Sequence, residues 1–172
     1  PTAGTIVKEK FNKKLGTTEW TLSNGIKVVI KPTDFKNDQI IMSMESEGGL
    51  SKVALEDLPS AGLADGVISY NGIGEFSVLD LQKVLTGKNV SVSPDISEYS
   101  ESMSGTSTVK DFETMMQLAY LYFTAPRQDD QAYQTLISML ETQLAARDKN
   151  PKNAFNDSIQ QTITCHNPRT LI

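Results

Sequence analysis

The chain has one cysteine, Cys165, one histidine, His166, and one tryptophan, Trp20, in 172 residues. A single thiol excludes an internal disulfide, and a single imidazole excludes any site built on two histidines of this chain. Positive charge is also scarce. Sixteen Lys and Arg against 21 Asp and Glu leave a net charge of -5 and a pI near 4.9. Nucleic-acid partners select for a basic stripe with interleaved aromatics, so none is expected. Lys8, Lys10, Lys13 and Lys14 form a small basic run, but in a segment without apolar periodicity, where it reads as a solvated tail. No apolar run approaches the roughly eighteen residues of a bilayer span, so a membrane partner is not expected either.

What is present is globular. Hydrophobic residues make up 38% and charged residues 22%, values that favour a folded core over disorder. The length suits one domain. Residues 1–15 carry Pro, Gly and Lys without periodicity and read as a linker or N-terminal arm; residues 16–172 are expected to form a single α+β domain. A chain that starts at Pro1, without an initiator Met, reads as a piece of a longer polypeptide.

Residues 19–23 and 26–30 flank Asn24-Gly25, a pair suited to a two-residue hairpin turn. Trp20, Leu22, Ile26, Val28 and Ile30 would share one face of that hairpin. Residues 39–47 alternate Ile40, Met42 and Met44 with Ile41, Ser43 and Glu45, predicting a third strand with one buried face that Gly48-Gly49 ends. Helical spacing follows over 54–70. Ser77, with Asp80 three residues on, has the pattern of a capping box for a helix that Gly87 closes. Strands are expected at 90–93 and 98–104, separated by Pro94-Asp95. Thr108 and Asp111 would cap a helix whose buried face is Val109, Phe112, Met116, Ala119, Tyr120 and Phe123, stopped by Pro126. Over 129–147, Tyr133, Leu136, Ile137, Leu140 and Leu144 mark another helix face, and 153–165 reads as a last helix. This order predicts an α+β fold, a mainly antiparallel sheet with helices packed on one face.

Particular residues within this order resemble a known family. Leu22-Ser23-Asn24-Gly25-Ile26-Lys27-Val28-Val29, the strand ending at Gly48-Gly49, and Gly62-Leu63-Ala64 resemble a domain of the pitrilysin or insulinase-type zinc metallopeptidases, which include mitochondrial processing peptidase. The resemblance covers most of residues 16–147. In catalytic domains of that family, Gly-Leu-Ala is followed by His-x-x-Glu-His. There, two imidazoles one helical turn apart hold Zn²⁺ while the glutamate between them polarises a bound water. Here the matching residues are Asp65, Gly66, Val67, Ile68 and Ser69. Both histidines and the base are missing.

The family's third ligand is a glutamate on a downstream helix, and Glu141 stands at a comparable place. Alone it reads as a solvated side chain, and Asp65 with Ser69 is a poor zinc pair. The resemblance implies two similar halves closed round a peptide, with zinc in the first half in many members. Gly72-Ile73-Gly74-Glu75-Phe76 and the stretch 80–88 resemble the non-catalytic second half of bacterial members. The chain is then expected to be the first domain of that half, incomplete at its C-terminal end.

Other signals point to structure. Gly72-x-Gly74 lacks the third glycine of a dinucleotide-binding loop and reads as a turn. Cys165 and His166 are adjacent and have no partner for a nucleophile or ligand pair. Asn89-Val-Ser91 and Asn156-Asp-Ser158 match glycosylation acceptors, a pattern frequent by chance. Ser102, Ser104 and Ser107 have no companion base.

The function these readings imply is a non-catalytic domain of a zinc metalloendopeptidase, walling a closed substrate chamber and itself inactive. No catalytic, metal or cofactor residue is expected in this chain, and zinc is expected in the catalytic domain of the parent. Its partners would be other domains of the same polypeptide and, indirectly, a peptide substrate. Family resemblance suggests a periplasmic or cell-envelope location. The alternatives are a scaffold domain of an inactive family member, or an unrelated α+β binding module.

Overall fold

Asn24 and Gly25 do turn the chain, with one residue more than expected. The computed structural model describes residues 4–147 and 149–170, and in it β2 (Thr17–Leu22) pairs antiparallel with β3 (Lys27–Ile30), Trp20 opposite Val28. The Leu22 N–H donates to the Ile26 carbonyl at 2.8 Å and the Gly25 N–H to the Leu22 carbonyl at 2.9 Å, which leaves three loop residues. A type I turn completed by one left-handed residue needs positive φ only there. Gly25 supplies it, at 86°.

The lysine-rich segment before the hairpin is not irregular. Residues 1–3 of the expected arm lie outside the described residues, but Ile6–Asn12 forms β1, antiparallel to β2, with Glu9 opposite Trp20 and Phe11 opposite Thr18. Lys8 and Lys10 alternate with Glu9 and Phe11, so the lysines fall on one face of a two-residue repeat. The Trp20 indole N–H donates to the Glu9 carboxylate at 2.7 Å across the pair. These strands belong to a compact unit, residues 1–38. The apolar face read from the hairpin is only partly covered: Trp20, Leu22 and Val28 are half-buried, and Ile26 and Ile30 are exposed.

Residues 39–172 form the second compact unit. Its sheet has the order β4-β6-β5, all antiparallel, from β4 (Ile40–Glu47), β5 (Val90–Ile96) and β6 (Ser100–Ser107). The strands therefore make two three-stranded sheets rather than one. Pro94-Asp95 does not separate strands; Pro94 pairs with Met103 and Asp95 with Ser102 inside β5. An edge strand tolerates proline because one side of it has no ladder to lose. The turn falls later, where the Ser97 N–H donates to the Ser100 carbonyl at 2.8 Å. Along β4, Ile40, Met42 and Met44 alternate with exposed Ile41, Ser43 and Glu45 as expected, though the inner residues are half-buried.

The helix expected over 54–70 is divided. A 3-10 turn, Gly49–Lys52, precedes α1 (Leu58–Ala61) and α2 (Ala64–Asn71). Next come α3 (Val78–Val84), α4 (Phe112–Thr124), α5 (Asp130–Arg147) and α6 (Pro151–Ile163). Ser77 caps α3 as read: its hydroxyl accepts from the Asp80 N–H at 3.2 Å and donates to the Asp80 carboxylate at 2.7 Å. Thr108 and Asp111 make the same reciprocal pair, but as a turn before α4.

Helix α4 buries a different face from the one its periodicity suggested. Met115, Leu118 and Ala119 are buried, whereas Phe112, Met116, Tyr120 and Phe123 are exposed. Val109, before the helix, is exposed too. Both faces are apolar, and the sheet decides between them. Gly105 of β6 leaves a notch between Met42 and Met115, and the helix seats Met115 there. Helices α2 and α4 pack against this sheet. The class is α+β, antiparallel sheets with helices packed on one face. Among the described residues no helix is long and apolar enough to cross a membrane.

Candidate functional site

The site to be tested lies on α2, eight residues that begin without a side-chain cap. Asp65 stands in its first turn, where a carboxylate meets the positive end of the peptide dipoles, and its Oδ1 accepts the Gly66 N–H at 2.8 Å. Four residues on, Ser69 shares the face of Asp65. Asp65 and Ile68 are half-buried, and Ser69 is exposed.

Helix α2 rests against α5, β5 and α3. The Tyr70 hydroxyl lies 3.4 Å from the Met139 sulfur on α5. The Asn71 carbonyl accepts from Arg127 Nη1 at 3.2 Å, and the same nitrogen pairs with Asp129 Oδ2 at 2.9 Å. Asp129 in turn caps α5 by accepting the Ala132 N–H at 3.0 Å, a bond that holds its carboxyl below the usual range. One arginine thus ties the end of α2 to the start of α5. Sequence reading missed Arg127, whose only signal is its place between Pro126 and two aspartates.

Glu141 is exposed on α5. It lines a groove of about 360 Å³ with Leu63, Ile137, Leu140, Leu144 and Arg147. The fold therefore brings Glu141 to the start of α2, on a wall made mostly of aliphatic side chains.

Zinc prefers thiolate, imidazole and carboxylate donors, closed into a tetrahedron. Residues 65–69 offer one carboxylate, an oxygen of which already holds a backbone N–H, and one neutral hydroxyl. Ile68 has no lone pair to act as a base. These residues do not fit the metal. Among the described residues no three His, Cys, Asp or Glu side chains gather in a group that could hold one.

The remaining candidates are spread over the fold. Gly72 and Gly74 have φ of 83° and 56° and form a turn around wholly buried Ile73. Amides of that turn are engaged: the Ile73 N–H by Phe76, the Gly74 N–H by Ala125 and the Phe76 N–H by Ile73. Cys165 and His166 end α6 in left-handed conformations, and both are exposed. Asn156 lies within α6, and the Asn89 N–H donates to Asp111 at 2.9 Å. Ser102 and Ser104 lie on the face of β6 opposite buried Met103 and Ser107.

No protein-family model matches the chain. It is 29% identical over 164 residues to a zinc protease PQQL-like protein of Arabidopsis thaliana, a match covering 94% of this chain and 14% of the relative. It is 24% identical over 115 residues to a probable zinc protease PqqL of Haemophilus influenzae, covering 67% of this chain and 12% of the relative. Over at least two thirds of its length the chain is thus similar in sequence to these zinc proteases. Two solved structures share its fold over 94% of the chain and 18% of each neighbour. The periplasmic protease PqqL from Escherichia coli superposes with a TM-score of 0.81 at 20% identity. The ferredoxin protease FusC, solved in complex with Arabidopsis ferredoxin, gives 0.80 at 19%. The chain spans less than one sixth of the length of these sequence relatives.

Proposed function

We propose that this chain is a non-catalytic domain of a zinc-dependent endopeptidase of the pitrilysin type. It forms part of the wall of a substrate chamber, while another domain of the same polypeptide holds the metal and cleaves peptides. The observation that carries this reading is α2: the family frame Gly62-Leu63-Ala64 leads into Asp65, Ile68 and Ser69, where a catalytic domain needs two imidazoles and a carboxylate base. Glu141 then has no partners with which to complete a metal site and stands instead beside aliphatic side chains. The likeness to the periplasmic protease PqqL of Escherichia coli supports a periplasmic location for the parent.

The test is deletion of residues 16–147 from the full-length parent, with zinc content and hydrolysis of unstructured peptides measured together. Zinc should be retained and hydrolysis lost, because the metal lies elsewhere and the chamber is incomplete. A deleted parent that still cleaves peptides at the original rate would overturn the chamber role. Loss of the zinc together with the segment would overturn the assignment of the metal to another domain.

A further inference from the structure

Helix α4 has thirteen residues and one charged side chain, Glu113. One face, Met115, Leu118 and Ala119, is buried on the sheet. The flank beside it presents Phe112, Met116, Tyr120 and Phe123, which are 43%, 40%, 49% and 68% exposed. Spacings of four, four and three align these residues in one ridge along the helix. Glu113, Gln117 and Thr124 form the polar stripe of α4 beyond this ridge, so its apolar surface is wider than the face the sheet covers.

The surface area supports the same conclusion. The chain exposes 12685 Å². Two separate compact bodies of 38 and 134 residues would expose only about 9,700 Å², so roughly 3,000 Å² is surface that a self-sufficient fold would bury. A standard interface covers about 800 Å² on each partner and a large obligate one about 1,000–2,500 Å², so a single dimer contact leaves part of that excess uncovered. The rest of a long polypeptide is large enough, since this chain corresponds to 14% of its Arabidopsis relative.

We infer that the Phe112–Met116–Tyr120–Phe123 ridge of α4 is a docking surface for an apolar face of another domain of the same polypeptide. The inference rests on the reading of this chain as one domain of a longer peptidase. A shallow groove of about 490 Å³, lined by Glu113, Met116, Gln117, Tyr120 and Leu121, receives aliphatic side chains of that domain. Glu113 and Gln117 at its rim favour a neutral or basic residue opposite them. The sequence periodicity that marks this ridge is real; its partner lies outside the 172 residues.

Hydroxyl-radical footprinting of the full-length parent tests this without any substitution. Oxidation rates of Met116, Tyr120 and Phe123 are read by mass spectrometry in the native protein and in the same protein unfolded in urea, at two concentrations a hundredfold apart. The expected result is at least fivefold slower oxidation in the native protein, equal at both concentrations. Less than fivefold protection would overturn the inference, and so would protection lost on dilution, which would mean a second copy covers the ridge. Zinc and peptide hydrolysis are measured on the same preparation. A parent without zinc or activity sinks the peptidase reading whatever the footprint, whereas an unprotected ridge in an active zinc enzyme sinks this inference alone.

Discussion

The sulfur of Met115 lies where a side chain on residue 105 would have to go. A Cβ built on Gly105 would stand 3.1 Å from Met115 Sδ and 2.8 Å from Met42 Cε. Helix α4 is held on the sheet by this contact, and Met115 is wholly buried in it. Met42 Cε and Met115 Sδ lie toward the ends of flexible side chains, so Gly105→Ala should cost little, whereas the bulkier Gly105→Val should cost about 1–3 kcal/mol, as overpacking does. Hydrogen exchange of the amides of α4 and β6 would report it, with rates rising about tenfold for each 1.4 kcal/mol. Unchanged exchange in the valine variant would contradict the packing described.

Asp111 makes a second tie between α4 and the sheet, and it depends on pH. Its buried carboxylate accepts the Asn89 N–H at 2.9 Å and the Thr108 hydroxyl at 2.8 Å, and these bonds hold its pKa below the usual value. A lowered folded-state pKa adds stability that is present above the ordinary carboxylate range, near pH 4, and lost as pH falls through the folded value. Asp111→Asn should therefore lower stability at pH 7 and flatten the loss in acid. Asp80 and Asp129 have the same direction of shift, so part of the acid dependence should remain. An acid-unfolding curve of unchanged slope in the asparagine variant would refute the role of Asp111.

Arg127 is expected to matter for the placement of α2. Its removal leaves the carbonyl of buried Asn71 without its bond and Asp129 without its cation. Arg127→Ala should destabilise by about 1.5–3 kcal/mol, the range for losing a hydrogen bond to a charged group. Faster exchange confined to α2 and the first turn of α5 is the expected pattern; a change spread evenly over the fold would argue against a local tie.

Local signals in the sequence were readable because their physics is local. Ser77 with Asp80 marks the start of α3, Asn24-Gly25 marks the hairpin, and the alternation from Ile40 to Glu45 marks β4. What failed needed a neighbour distant in sequence. Residues 6–12 become a strand only beside β2, and Pro94 stays in β5 only because that strand is an edge. Met115 and Met116 head two apolar stripes of α4; the inner one lies opposite Glu113, Gln117 and Thr124, and the notch at Gly105 receives its Met115. At the candidate site, the shared face of Asp65 and Ser69 follows from a one-turn spacing. The approach of Glu141 to Leu63 does not, because it depends on how α2 and α5 pack.

If α2 carries no metal site, its would-be ligands are dispensable to the metal. Asp65→Asn, Ser69→Ala and Glu141→Gln should be combined in the full-length parent, and the zinc-to-polypeptide ratio measured by elemental analysis beside the unaltered protein. All three side chains are half-buried or exposed, so the triple variant is expected to fold. The expected result is the same zinc ratio and the same peptide hydrolysis in both. A fall in the zinc ratio of the variant would contradict the reading of this chain as non-catalytic and make Asp65 or Glu141 a ligand.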